Sequence, residues 1–353
     1  MSQLIGFKIT VVMPIYNGEK YLHETLSSLL SQSYTSFKVL CINDCSEDTS
    51  LEILEFFRNL DGRFEIVNTP VNLGSAPKCI NFFKNLIKTE YFVYSSQDDT
   101  FSSDWLENIY YRARDTNSDA VLPDVVCENW DLKIKNRQFK GVNGDRGVIL
   151  TGREAFELSV RWLIPGNALW RTELLTKHDF FAFNYNADEY TVRYYFLHCN
   201  QVAFSRGTFF YRQNNLEAIT KKFSINFFSG PETELRLWKL AKQFDLSEIT
   251  LKYLAKSAIR KVVFLYPYTL IPRFREGRES LQNTIKNFGD KDFFCFVSSK
   301  KSVDLIFERL LLNKTNLIPI VSVILFLLRC TRVLALAKSF IHLCRAIGFV
   351  RSN

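Results

Sequence analysis

The chain predicts an α/β fold, a mixed and mainly parallel sheet flanked by helices, with a helical extension toward its C-terminus. Two observations carry this expectation. Between Lys8 and Asp99, short apolar runs rich in β-branched and aromatic residues alternate with stretches of helical period, the pattern of parallel strands joined by helical crossovers. From Glu232 onward the helical periods continue instead, at Glu232 to Lys242 and Leu246 to Leu265, as expected for a helical region appended to the sheet.

The strands come in order. Ile9-Thr-Val-Val-Met-Pro-Ile-Tyr-Asn17 is the first, Phe37-Lys-Val-Leu-Cys-Ile-Asn-Asp44 the second, and Tyr91-Phe-Val-Tyr-Ser-Ser-Gln-Asp-Asp99 closes the series. Sheets of this kind bind ligands beyond the carboxyl ends of their strands. Those ends carry Asn17, Asp44, Asp98 and Asp99, an arrangement that points to a metal-assisted nucleotide site. In the helical region, Gly230-Pro231, Pro267 and Pro272 act as breakers, and Pro272-Arg-Phe-Arg-Glu-Gly-Arg278 reads as a polar linker. Leu281 to Phe288 and Val303 to Leu312 read as further helices.

A length of 353 residues predicts about two domains of ~100–200 residues each. The eight cysteines are scattered without CxxC spacing, so they read as reduced core residues of a cytosolic protein. No N-terminal stretch has the layout of a signal peptide. His23, His178, His198 and His342 form no metal-binding spacing. GxGxxG, GxxxxGK[ST] and GxSxG patterns are missing too, which argues against dehydrogenase, P-loop and hydrolase chemistry.

The net charge of +8 is concentrated at one end. After Glu308 no acidic residue follows, while Arg309, Lys314, Arg329, Arg332, Lys338, Arg345 and Arg351 do. The preceding part is nearly neutral, so no nucleic-acid partner is expected. Leu317 to Leu328 is the most apolar run, yet it is shorter than the ~20 residues of a spanning helix. Beyond it, at ~100° per residue, Arg332, Lys338, His342 and Arg345 fall in one arc, and Leu334, Leu336, Phe340, Ile341 and Leu343 in the opposite one. A basic amphipathic helix after an apolar run reads as an anchor on the inner leaflet of the cytoplasmic membrane. Packing on the protein's own surface, or a dimer contact, is the alternative.

Pro14-Ile-Tyr-Asn17, Asn43-Asp-Cys-Ser-Glu-Asp-Thr49, Asn72-Leu-Gly74 and Gln97-Asp-Asp99, in that order, resemble the motifs of family 2 glycosyltransferases. These are inverting enzymes with the GT-A fold, here of the bacterial surface-polysaccharide type. Asp188-Glu-Tyr-Thr-Val-Arg193, followed by Tyr211-Arg-Gln-Asn-Asn215 and Ile219-Thr-Lys221, is similar to the family's carboxylate motif and the strand after it. The resemblance implies a catalytic domain over 1–228; the helical periods and the apolar, basic run beyond it read as a helical appendage over 229–314 and a membrane-surface tail over 315–353. The protein would then be cytoplasmic and peripheral on the membrane.

A nucleotide diphosphate leaving group gains charge as the sugar–phosphate bond breaks, and a divalent cation held by carboxylates neutralises it. The resemblance places Mn²⁺ or Mg²⁺ on Asp98 and Asp99; Ser96 stands where the family's motif has a first aspartate. It places a UDP-sugar donor on Pro14, Tyr16, Asn17, Asp44, Lys78 and Asp98, with Asp44 accepting from the uracil imide. Asp44 would otherwise cap a helix beginning near Ser46. Inversion in one displacement needs a base, and Asp188 and Glu189 are the candidates, Asp188 favoured. The resemblance puts Gly166, Asn167 and Arg193 on the side of a hydroxyl acceptor, a glycan or lipid-linked glycan. Arg212 and Lys221 either reach the pyrophosphate or stay at the surface. Two other readings remain: a polyprenyl-phosphate glycosyltransferase, and a non-catalytic nucleotide-sugar-binding scaffold.

Overall fold

The structure is a computed structural model that describes residues 6–128, 137–215, 218, 223–270 and 272–287. The expected helix over 303–312, the tail over 315–353 and the Ile219–Lys221 motif lie outside the described residues. The chain divides into two compact units at Lys222/Phe223.

In the first unit, β1 (Ile9–Ile15), β2 (Phe37–Asn43), β3 (Phe64–Asn68) and β4 (Tyr91–Tyr94) are parallel and are separated in sequence by α1 (Glu19–Leu30), α2 (Ser50–Leu60) and α3 (Ala76–Phe83). β1 sits between β2 and β4, and Val11, Val12 and Met13 have no exposed surface. Such continuous apolar runs mark strands covered on both faces. An antiparallel strand, β8 (Leu169–Arg171), extends the sheet from β4 to β6 (Ala120–Glu128). β6 pairs in parallel with β9 (Val202–Arg212). β5 (Thr100–Phe101) closes the far edge, and β7 (Gln138–Phe139) pairs with β6 off the main path. The result is the expected mixed, mainly parallel sheet, flanked by α4 (Trp105–Thr116), α5 (Gly152–Val160), α6 (Thr172–His178) and α7 (Ala187–Leu197).

The strands end earlier than their apolar runs suggest, and the reason is local. β1 stops at Ile15 because Asn17 turns the chain at φ +48°. Pro14 is tolerated in this central strand. Val12 O accepts from Ser95 N on the β4 side and Ile15 O accepts from Asp44 N on the β2 side. Pro14 therefore faces the β4 side, beyond the last β1–β4 pair at Val12 and Tyr94, where its missing N–H breaks no ladder bond. Pro123 has a larger effect. The β6–β9 register shifts from Leu122↔Phe204 to Asp124↔Thr208 across it, a bulge of the kind a missing donor produces.

In the second unit, α8 (Gly230–Gln243) and α9 (Glu248–Leu265) pack through Leu237, Trp238, Leu254 and Ala258, all buried. Gly230-Pro231 does not break the helix but forms its first turn, where a proline costs no hydrogen bond. The expected polar linker at 272–278 is instead a packed connection. Residues 272–274 form a 3₁₀ turn and Gly277 opens α10 (Gly277–Asn287). Phe274 is buried against the rings of Phe223 and Phe228.

Gly207 lies in the bulge, and a Cβ there would stand 2.6 Å from Trp105 Cα and 2.8 Å from Trp105 O, at the start of α4. Backbone atoms cannot swing aside, so Gly207→Ala is expected to destabilise the protein by about 1–3 kcal/mol. A urea melt followed by far-UV circular dichroism checks this; an unchanged midpoint would refute it.

Candidate functional site

The loops after β1 and β2 are stitched together at the carboxyl end of the sheet. Asn17 N donates to Ser46 Oγ (3.1 Å), and Glu47 N donates back to Asn17 Oδ1 (2.9 Å). Gly18 N reaches Ser50 Oγ (2.8 Å) and Glu19 N reaches Asp48 Oδ2 (2.9 Å). Glu19 Oε2 in turn accepts from Thr49 N and Oγ1. Asp48 lies low among these donors: burial raises its carboxyl, and the hydrogen bonds from Ser50 and Glu19 outweigh it and lower it below the usual range. Tyr16 is held by Gln97, whose amide accepts from Tyr16 N (2.8 Å) and donates to Tyr16 O (3.1 Å). The Tyr16 ring remains 47% exposed, so it is available to a ligand above the strand ends.

Asp44 does not cap a helix near Ser46, because α2 begins at Ser50. Its buried carboxylate organises the next turn instead. Oδ1 accepts from Thr69 Oγ1 (2.9 Å) and Leu73 N (2.8 Å), and Oδ2 accepts from Gly74 N (3.2 Å). Asn72 Nδ2 reaches Asp44 O at 3.0 Å. Gly74 has φ +74°, which a side chain would oppose, and this orients its N–H onto Asp44. The Cys79 side chain, on α3, hydrogen-bonds the same carboxylate. Lys78 is exposed on the first turn of α3.

The loop after β4 carries the acidic pair. Ser96 Oγ donates to Asp98 Oδ1 (2.5 Å), and Asn215 Nδ2 donates to Asp98 Oδ2 (2.7 Å). Asp99 is 2% exposed and Oδ1 accepts the backbone N–H of Arg212 (2.9 Å). Burial, then the charge of Asp98, raises the Asp99 carboxyl well above the usual range. Arg212 Nε donates to the Asp98 carbonyl (2.8 Å), and its guanidinium pairs with Glu24 and covers the Tyr21 ring. Arg212 is thus folded into the protein rather than presented to a phosphate.

Among the described residues, no group of three or more His, Cys, Asp and Glu side chains is arranged to hold a metal ion. A Mg²⁺ or Mn²⁺ ion shared with phosphates needs only one or two protein carboxylates, and this loop fits that lesser demand. Asp98 is half-buried, oriented by two donors and still rich in lone pairs. A cation arriving from solvent meets Asp98 first, since Asp99 is enclosed.

The third element is the first turn of α7. Glu189 is committed to Arg193, one turn on, whose Nη1 donates to both the carbonyl and the carboxylate of Glu189. Arg193 is 4% exposed and also donates to Ser159 O (3.2 Å). Among the described residues Asp188 has no such ion pair, and burial, then the charge of Glu189, pushes its carboxyl up to about 6. Tyr94, at the end of β4, joins the two acidic groups. Burial raises its phenol, and Asp188, Asp99 and Asp98 follow in that order as charges raising it further. Gly166 lies against α7, where an added Cβ would meet Val192 Cγ1 at 2.8 Å. Asn167 is half-buried beside it.

The expected residues therefore gather around the ends of β1, β2 and β4 and the start of α7. Sequence reasoning quoted Gln97 inside a motif without giving it a task, and it left Arg212 undecided. It missed Glu24 and Thr69 altogether. Glu24 meets Arg212 across 188 positions, a separation at which no local pattern signals a pair.

The profile of the family described as Glycosyl transferase family 2 matches residues 10–184. The chain is 26% identical over 237 residues to glycosyltransferase GlyG of Streptococcus pneumoniae serotype 4, covering 64% of this chain and 76% of that protein. It is 30% identical over 183 residues to poly(ribitol-phosphate) beta-N-acetylglucosaminyltransferase TarS of Staphylococcus aureus, covering 49% of this chain and 29% of TarS. The crystal structure of S. aureus TarS 1–349 with UDP-GlcNAc matches with a TM-score of 0.61 at 20% identity, over 82% of each chain. Mannosyltransferase PcManGT from Pyrobaculum calidifontis, in complex with GDP-Man and Mn²⁺, matches with a TM-score of 0.50 at 14% identity, over 88% of this chain and 89% of that one. At these identities the structural likeness establishes the fold.

Asp188 also sets a pH dependence. A carboxyl at about 6 in the folded chain and at an ordinary ~3.9 in the unfolded chain keeps its proton only in the fold between those values. Stability contributed by this group is therefore full below the lower value and falls as pH rises through the higher one. Asp188→Asn, always neutral, is expected to melt above wild type at pH 8, with the gap closing as pH is lowered below ~4. Scanning calorimetry across that range checks it; a gap independent of pH would refute it.

Proposed function

This chain belongs to glycosyl transferase family 2 and is a glycosyltransferase, and we propose that it moves a sugar from a UDP-sugar to a hydroxyl of a glycan or lipid-linked glycan with inversion. The observation that carries this reading is the acidic loop beyond the carboxyl end of β4, where Ser96 and Asn215 orient the Asp98 carboxylate. A cation-binding carboxylate there and a base at the start of α7 suit single displacement at an anomeric carbon. S. aureus TarS, whose fold this chain shares, is known in complex with UDP and with UDP-GlcNAc.

In this mechanism Tyr16 lies against the uracil ring, and the Asp44 carboxylate takes the uracil imide N–H. Asn17 holds the loop on which both depend. Lys78, on α3, meets phosphate as a point charge. Asp98 would hold Mn²⁺ or Mg²⁺, which when bound would supply positive charge to offset that growing on the diphosphate. Asp99 fixes the loop that presents Asp98. Asp188 takes the proton of the acceptor hydroxyl as its oxygen bonds to the anomeric carbon and the diphosphate departs. Burial makes Asp188 a stronger base than a solvated aspartate while leaving it ionised at neutral pH. Glu189, neutralised by Arg193, positions the turn, and Gly166 and Asn167 line the acceptor side. The basic tail would hold the protein at the membrane surface, close to a lipid-linked acceptor.

Thermal shift tests the donor site. UDP with Mn²⁺ is expected to stabilise wild type more than UDP alone, and more than GDP with Mn²⁺. Asp98→Asn is expected to lose the metal-dependent increment. Preference for guanine, or an increment unaffected by the substitution, would overturn the assignment. For the base, Asp188→Asn is expected to lower transfer to acceptor by about 10²–10⁴-fold, and wild-type kcat/KM is expected to rise with pH through about 6. Transfer at the wild-type rate in Asp188→Asn would remove Asp188 from this role.

A further inference from the structure

The segment between α5 and β8 begins with a half-exposed tryptophan. Trp162 has φ +56° as the left-handed residue that ends α5: its N–H donates to Ser159 O (2.9 Å), and Leu163 N donates to Leu158 O (3.0 Å). Its residue surface is 44% exposed, and that of Leu163 beside it is 48% exposed. Arg193 stands against the indole, its guanidinium carbon 5.2 Å from the ring centroid. Arg137 Nη2 donates to the Trp162 carbonyl at 2.7 Å. Arg193 is itself held by Glu189 and Ser159, so it backs the ring as a fixed support. An unconstrained indole would fold onto apolar surface and gain the free energy of burial. Here the helix-ending turn, the Arg137 bond to its carbonyl and the Arg193 guanidinium fix the residue with 44% of its surface exposed.

Its place in the fold says what it faces. Glu189 and Arg193 are four residues apart on α7, as are Asp188 and Val192, so each pair shares a stripe of the helix. Trp162 touches Arg193 and Gly166 touches Val192. Residues 162–166 therefore run along the second turn of α7, about 5.4 Å of helical rise from the level of the two acids.

We propose that Trp162 is an acceptor platform on which a pyranose ring stacks, so that a hydroxyl of that ring or of the next sugar reaches Asp188. This rests on the reading of Asp188 as the base of glycosyl transfer. A pyranose with equatorial substituents presents a face of axial C–H bonds, apolar and faintly positive, and the indole presents a negative π face. The hydroxyls radiate at the ring edge and stay free to react. A linear polyol phosphate has no such face, so the platform selects a cyclic sugar.

The test uses full-length protein carrying ¹⁵N-labelled tryptophan, with methyl β-D-glucopyranoside and ribitol 5-phosphate as probes. The Trp162 indole resonance is identified as the one lost in Trp162→Phe. It is expected to shift with millimolar glucoside and to stay in place with ribitol 5-phosphate. Saturation-transfer measurements are expected to show about tenfold weaker glucoside binding in Trp162→Ala and a smaller loss in Trp162→Phe, which keeps a flat ring. Stabilisation by UDP with Mn²⁺ reports the donor site separately. Its absence in wild type would count against the donor reading, while the indole shift still decides the platform. A resonance unmoved by glucoside, or moved equally by both probes, would overturn the proposal.

Discussion

Asp99 is a carboxylate enclosed by protein with a second carboxylate, Asp98, next to it in the chain, and the end of β9 is what makes that tolerable. The backbone N–H of Arg212 reaches Asp99 from 113 positions away. The guanidinium of the same residue bonds the Asp98 carbonyl, pairs with Glu24 and covers Tyr21. Breaking a buried charged arrangement from one side is strongly destabilising, because the remaining group keeps its desolvation penalty. The loop that bears the acids, the far strand and α1 are thus bound into one requirement. Only when the sheet is complete from β4 to β9 does Asp98 point outward with both oxygens oriented.

A similar division separates the two acids of α7. Asp188 and Glu189 are adjacent, yet the ion pair to Arg193 engages one and burial raises the other. Neighbouring carboxylates whose surroundings push them apart take different roles. The same Arg193 supports Trp162, so one guanidinium settles which acid stays unpaired and where the nearby aromatic surface lies.

Around the other strand ends, rigidity comes from hydrogen bonds between loops. Backbone donors of residues 17–19 meet side chains of Ser46, Asp48 and Ser50, while Asn17 and Glu19 return bonds to Glu47 and Thr49. Asp44 organises residues 69–74 in the same way. These polar side chains hold the surface above the sheet in one shape, leaving Tyr16 exposed on it. Such preorganisation lowers the cost of ordering a site when a ligand arrives.

β1, β2 and β4 and the placement of Asn17, Asp44, Asp98 and Asp99 beyond their ends were legible in the chain, because alternating apolar runs and helical periods are local signals; the short, half-buried β3 (Phe64–Asn68) was missed. Their motifs also carried the family. Other features were not legible for equally physical reasons. The breaker reading of Gly230-Pro231 failed because a proline fits the first turn of a helix as well as a break. The linker reading of 272–278 failed because Phe274 found two rings to pack against. Periodicity by itself determined three parallel strands and the acids beyond their ends. Only the tertiary structure decided that Arg212 supports those acids and that Glu189 rather than Asp188 is paired, since both depend on charges that meet after the chain has closed over itself.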